Sequence, residues 1–109
     1  MLVYTPQAID DLSQILAGLF SFRIGGASIP ALTHEHAESI FDEILSHIET
    51  IPNQHLHFRN TFEGLLRYGE FVFTYKRNRT NWYAFYDREG EDFIIRRITN
   101  NWNILLPRL

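Results

Sequence analysis

The segment "NWYAFYDREGEDFIIRRITN" (residues 81–100) predicts the centre of the fold. It contains two runs rich in aromatic and β-branched residues, separated by a short turn in which Gly90 suits a positive φ. A β-hairpin is therefore expected. Its second strand carries Arg96 and Arg97 among isoleucines. Because side chains alternate across a sheet, the two arginines should point to opposite faces.

Outward from this hairpin, other segments also read as strands. The runs 70–77, 81–88 and 92–100 predict an antiparallel meander, and "LVYT" (2–5) predicts a short first strand. Residues 53–69 are ambiguous between a loop and a short strand.

Two amphipathic helices are predicted between the first strand and the meander. The first begins after Thr5, whose hydroxyl suits an N-cap, and ends before Gly25. Residues 22–32 carry Gly, Ser and Pro and are predicted to be a loop. The second helix is capped by Thr33 and ends near Thr50. Each helix has one apolar stripe, which favours a two-helix hairpin packed on one face of the sheet.

The resulting order, β-α-α-β-β-β, predicts an α+β fold with a mainly antiparallel sheet, and the length of 109 residues predicts a single domain over 1–109. The sequence has no cysteine, which excludes disulfides and thiolate chemistry. It has no apolar run of the roughly 20 residues that span a membrane and no signal-peptide pattern. We therefore expect a cytoplasmic protein without a membrane partner.

Charge is divided unevenly along the chain. Residues 1–54 hold seven acidic residues against one arginine, and residues 55–109 hold nine Lys and Arg against six acidic residues. An acidic or polyanionic partner is therefore expected to contact the C-terminal half.

Metal and cofactor motifs are missing from the sequence. His34 and His36 are two residues apart, which does not place both on one helix face, and no ligand stands at metal-binding spacing from His55 and His57. Phosphate-binding loops, dinucleotide fingerprints and nucleophile elbows are also missing. We predict no metal and no cofactor.

Basic and aromatic residues are interleaved on the predicted sheet. Guanidinium groups beside aromatic rings suit phosphate contacts and base stacking, although arginines also commonly cover the outer face of a sheet. The stronger candidates are Arg67, Arg96 and Arg97, because a partly buried charge needs a partner. The alternative for Arg77 and Arg79, at strand ends, is a solvated hairpin charge.

Four segments carry a resemblance to a known protein family: "VYTPQAIDDLSQIL" (3–16), "HAESIFDEILSHIETIPN" (36–53), "GLLRYGEFVFTYK" (64–76) and the last hairpin with its extension (81–103). In these segments the chain resembles the RelE/ParE superfamily of toxins from type II toxin–antitoxin systems. The resemblance implies a RelE/ParE-like fold, an antitoxin partner, growth inhibition and plasmid stabilisation.

The resemblance implies two possible activities, and the small number of catalytic candidates leaves a third, inactive alternative open. A ParE-like inhibitor of DNA gyrase is slightly preferred, since Asn100 and Asn101 stand where many members carry a histidine and a basic residue. A RelE-like ribosome-dependent mRNA endoribonuclease would use Arg67, Tyr86 and Arg97 as catalytic residues, with Lys76 as a further candidate. The third alternative is an inactive relic or a nonenzymatic interaction module.

Contacts to nucleic acid or to a partner protein are predicted for a wider set of polar residues: Arg77, Arg79, Arg96, Asn100 and Asn101. Strict alternation along the last strand groups Arg97 with Phe93 and Ile95. The family match falls on Arg97, which would then face the partner, while Arg96 would lie beside the helices and pair with their acidic residues.

Overall fold

The computed structural model describes residues 1–24, 27–30, 34–77 and 79–101. In chain order its elements are β1 (Leu2–Tyr4), α1 (Pro6–Phe20), β2 (Ser21–Ile24), β3 (Ala27–Pro30), α2 (His34–Ile48), β4 (Phe58–Arg59), β5 (Phe71–Arg77), β6 (Thr80–Glu89) and β7 (Asp92–Asn100). Short 3-10 helices lie at Ile51–Asn53 and Leu66–Tyr68.

Five strands form one sheet in the order β1-β7-β6-β5-β4. β1 runs parallel to β7, and the other three pairs are antiparallel. The predicted meander and first strand are confirmed, and the ambiguous segment 53–69 contributes the two-residue strand β4. α1 and α2 contact each other, and α1 also packs against β7. The predicted α+β architecture is therefore confirmed.

The connection between the helices differs from the prediction. Residues 22–32 were expected to be a loop, but β2 and β3 pair there as a separate antiparallel hairpin. Thr5 caps α1 as expected, because its Oγ1 accepts a hydrogen bond from the Ala8 amide at 3.2 Å. The predicted cap Thr33 lies outside the described residues.

Apolar side chains pack on both faces of the sheet. The helix-side cluster joins residues of α1 and α2 to inward-facing residues of β6 and β7, among them Ile44, Phe93, Ile95 and Ile98. The far face holds a smaller cluster of buried residues, Leu65, Val72, Tyr83 and Phe85, packed with Phe62 and Tyr68. The segment before β5 therefore covers part of the face that the helices leave open.

A β-bulge in β7 corrects the predicted alternation. Phe85 pairs with Arg97 but the next residue of β6, Tyr86, pairs with Ile95, so Arg96 is the extra residue. The bulge resets the pattern, and Ile98 joins Ile95 in the helix-side cluster. Arg97 therefore does not share a face with Phe93 and Ile95, as strict alternation required.

Within the part of the chain that the structure describes, no helix is both long enough and apolar enough to cross a membrane.

Candidate functional site

A groove of about 450 Å³ opens beside the bulge, where β7 extends past the end of β1. We call it the arginine groove. Its walls come from the start of α1, from the 3-10 helix before β5 and from β7: Thr5, Pro6, Gln7, Arg67, Tyr68, Arg96 and Arg97. The fold thus brings the three sequence-predicted arginines 67, 96 and 97 together.

Asp11 fixes one side of this groove. Its Oδ2 accepts hydrogen bonds from Arg97 Nε and from the Ile98 amide, each at 2.9 Å. Its Oδ1 accepts from Gln7 Nε2 at 3.0 Å. The Asp11 side chain is 8% exposed and that of Arg97 17% exposed. A charge removed from water to this extent requires a charged and hydrogen-bonded partner, and each residue supplies that partner for the other.

The Tyr68 ring lies close to two guanidinium groups. The Cζ atoms of Arg67 and Arg97 lie 4.6 Å and 4.9 Å from its centroid, within the range of cation–π attraction. Arg67 also donates to the Tyr68 hydroxyl at 3.0 Å and to the Gly64 carbonyl at 2.7 Å. These contacts hold the two cations around one aromatic ring.

Arg96 forms the third basic wall. Its Nη1 lies 3.0 Å from Asp87 Oδ2, and its carbonyl accepts a hydrogen bond from the Thr5 hydroxyl at 3.3 Å. Among the described residues, Arg67 forms no ion pair. Three guanidinium groups thus face two carboxylates, and the exposed Arg67 is the cation available to an anionic group.

The predicted pairing of Arg96 with acidic residues of the helices is wrong. Arg96 was expected to pair with acidic residues of the helices, but Arg97 makes that contact through Asp11. Arg96 is the more exposed of the two, with 46% of its side chain accessible. The bulge explains why Arg97, and not Arg96, contacts the helix. It inserts one extra residue between Ile95 and Arg97, and this changes the sheet face to which each following side chain points.

Tyr86 does not join the groove. It lies in the helix-side cluster, is 2% exposed, and its hydroxyl forms a hydrogen bond with His57 Nδ1 at 2.7 Å. Burial raises the pKa of Tyr86 to about 12. The members of the predicted catalytic set, Arg67, Tyr86 and Arg97, are therefore separated: the two arginines meet at Tyr68, and the phenol lies among the buried side chains on the helix side.

The remaining predicted contact residues lie away from the groove. Lys76 and Arg79 are exposed near the β5–β6 turn. Arg77 pairs with Glu43 of α2 at 2.5 Å. Asn100 pairs in register with Trp82, and the Asn101 side chain accepts from the Asn81 amide at 2.9 Å. The wider predicted set is therefore divided between two regions.

Sequence reasoning missed Asp11 and the His57–Tyr86 pair as structural features. The burial of Asp11 could have been predicted from the sequence. Asp11 lies three residues after Ala8 and four residues before Ile15, which places it on the apolar stripe of α1. A carboxylate in such a stripe needs a buried cation. The described residues contain no cluster of three histidine, aspartate or glutamate side chains arranged to hold a metal ion.

Comparison with known proteins relates the chain to a solved structure. No family model matches the sequence, and no curated protein matches it. The fold is similar to that of a chain of the "Chromosomal ParDE TA system from P. aeruginosa", with a TM-score of 0.57 and 21% sequence identity over 89% of this chain and 90% of that one. This similarity confirms the RelE/ParE-like fold that the sequence predicted.

Proposed function

We propose that this protein is the toxin of a type II toxin–antitoxin pair, acts in the cytoplasm and is neutralised by a small antitoxin. The single observation that carries the proposal is the fold shared with a chain of a ParDE toxin–antitoxin system. The arginine groove supports it, because a basic concave surface suits an acidic partner or target.

Within this proposal, ParE-like inhibition of DNA gyrase is favoured over mRNA cleavage. Endoribonuclease chemistry needs a proton-transfer group beside the cations that bind the phosphate. Tyr86 is hydrogen-bonded to His57 on the helix side, so its phenol is not placed to serve a phosphate bound by Arg67 and Arg97. A binding activity requires only the shape and charge of the groove.

Two alternatives are tested alongside it. Arg67 and Arg97 flank one ring, and this arrangement supports contact with an RNA phosphate in a RelE-like endoribonuclease. The other alternative is an inactive relic or a nonenzymatic interaction module, for which the same groove would bind a partner protein without toxicity.

Controlled expression with two readouts tests the proposal. Expression should arrest growth and raise double-strand DNA breaks, and the small protein encoded beside it should relieve the arrest. Codon-linked cuts in primer extension, without DNA breaks, would favour the endoribonuclease. Normal growth at high expression would contradict a toxin of either kind and leave the interaction module.

A further inference from the structure

The outer edge of β5 is only partly covered by β4. β4 supplies two residues, which pair with Phe71 and Val72. Within the described ranges, the rest of β5, from Phe73 to Arg77, has a paired neighbour on the β6 side alone. A strand edge of this kind presents backbone donors and acceptors that another strand can bind.

The hydrogen-bonding direction of β5 identifies the free groups. The Asn60 amide donates to the Glu70 carbonyl at 2.8 Å, so this carbonyl, at the start of β5, points towards β4. Direction alternates along an antiparallel strand, which turns the backbone groups of Val72, Thr74 and Lys76 the same way. Those of Thr74 and Lys76 lie beyond the end of β4.

An apolar groove accompanies this edge. It has a volume of about 300 Å³ and is lined by Gln54, Leu56, Phe58, Val72, Phe73, Thr74 and Tyr86. Leu56 is 71% exposed and Phe58 is 66% exposed. Large apolar side chains with this exposure, next to an unpaired edge, suit alternate apolar side chains of an added strand.

Charge distinguishes between possible occupants of the edge. The sequence of β5, "FVFTYKR", has no acidic residue, and Lys76 is exposed without an ion pair among the described residues. A second copy of β5 would bring four cations to one edge, whereas a segment with carboxylates would be attracted by Lys76.

We propose that an extended, acidic and apolar segment of the antitoxin adds to the sheet as a strand along Thr74–Lys76. Its apolar side chains would fill the groove beside Leu56 and Phe58, and its carboxylates would face Lys76. This inference rests on the proposed function and assigns the antitoxin a docking edge separate from the arginine groove.

Hydrogen exchange tests the docking without any substitution. The probe is the small protein encoded beside this one, purified in complex with the full chain. The amides of Thr74 and Lys76 should exchange rapidly in the free protein and at least about tenfold more slowly in the complex. A stable complex in which both amides keep their free exchange rates would overturn the docking and leave the proposed function intact. Failure of the wild-type chain to bind that protein would overturn both.

A proline substitution supplies the second test. Thr74→Pro removes an outward N–H that the β6 ladder does not use, so the fold should survive, as edge strands tolerate proline. Binding of the partner should weaken by at least about tenfold, with Thr74→Ala close to wild type. Lys76→Glu should also weaken it. Equal affinities for the proline and alanine variants would contradict strand addition, as would a wild-type dimer that Thr74→Pro converts to monomer.

Discussion

A single carboxylate oxygen of Asp11 binds both the Arg97 side chain and the Ile98 amide, each at 2.9 Å. This contact joins the first helix to the strand that carries the bulge. It satisfies a backbone donor of β7 beyond the end of β1, and it holds one guanidinium group of the arginine groove in place. Stability and the shape of the groove therefore depend on the same atom.

Replacing Asp11 by alanine should lower the free energy of unfolding by about 3–5 kcal/mol, because it leaves Arg97 buried without a partner. The matched control is Glu43→Ala, which breaks the more exposed pair with Arg77 and should lower the free energy of unfolding much less than Asp11→Ala does. Urea denaturation measures both. Similar losses for the two variants would show that burial of the Asp11–Arg97 pair has no particular importance.

Replacing Arg67 by alanine should abolish growth arrest while changing the free energy of unfolding by less than about 1 kcal/mol, because the side chain is exposed. Arg59→Ala is the control: that residue is also exposed and pairs with Glu70, away from the groove. Growth curves and thermal melts give the two readouts. Undiminished toxicity of the Arg67 variant would place the functional surface elsewhere.

Replacing Tyr86 by phenylalanine should preserve toxicity and cost about 1–2 kcal/mol in unfolding free energy, because the hydrogen bond to His57 is lost in a buried place. A double-mutant cycle with His57→Ala measures the coupling between the two side chains. If the phenylalanine variant folds normally but no longer arrests growth, Tyr86 has a catalytic role after all.

Alkaline pH should destabilise the fold through two tyrosines. Burial raises the pKa values of Tyr4 and Tyr86 to about 12. In the unfolded chain each hydroxyl loses its proton near pH 10, so the folded form binds more protons between pH 10 and 12 and stability falls as pH rises through that interval. Each tyrosine should contribute about 2–3 kcal/mol to this loss. Urea titrations at pH 9 and 11 should show the loss reduced in Tyr86→Phe.

The backbone of Gly69 lies close to the backbone of β6 at Tyr86. A Cβ on Gly69, where φ is +156°, would lie 2.8 Å from the Tyr86 amide nitrogen. Gly69→Ala should therefore destabilise the protein by more than about 2 kcal/mol. The control Gly18→Ala lies in α1 with open space around the added methyl group and should stabilise by about 0.5–1 kcal/mol. Thermal denaturation separates the two changes, and equal melting temperatures would refute the close approach.

The elements of the fold were predictable where local patterns decide them. Periodicity identified both helices, and β-rich runs identified the three long strands. The β2–β3 hairpin was missed because its glycines and proline are also typical of loops, and local composition does not distinguish the two.

The arrangement of the candidate site was less predictable. Arg67 and Arg97 were identified as candidates, and the fold brings them to one ring. The roles of Arg96 and Arg97 were exchanged because a bulge depends on pairing with β6, which alternation along one strand does not reveal. The burial of Tyr86 on the helix side was not predictable, since a tyrosine in a strand has the same sequence pattern whether it faces solvent or the core.

The parallel pairing of β1 with β7 has a consequence for synthesis on the ribosome. β1 pairs in register with Phe93–Ile95 of β7, and α1 also packs against β7. β7 is translated some 90 residues after β1. The interior position between β1 and β6 is thus filled by the last of the strands to emerge. Until then β1 has no paired strand and α1 lacks its contacts with β7, so the nascent chain cannot form the arginine groove before β7 leaves the exit tunnel.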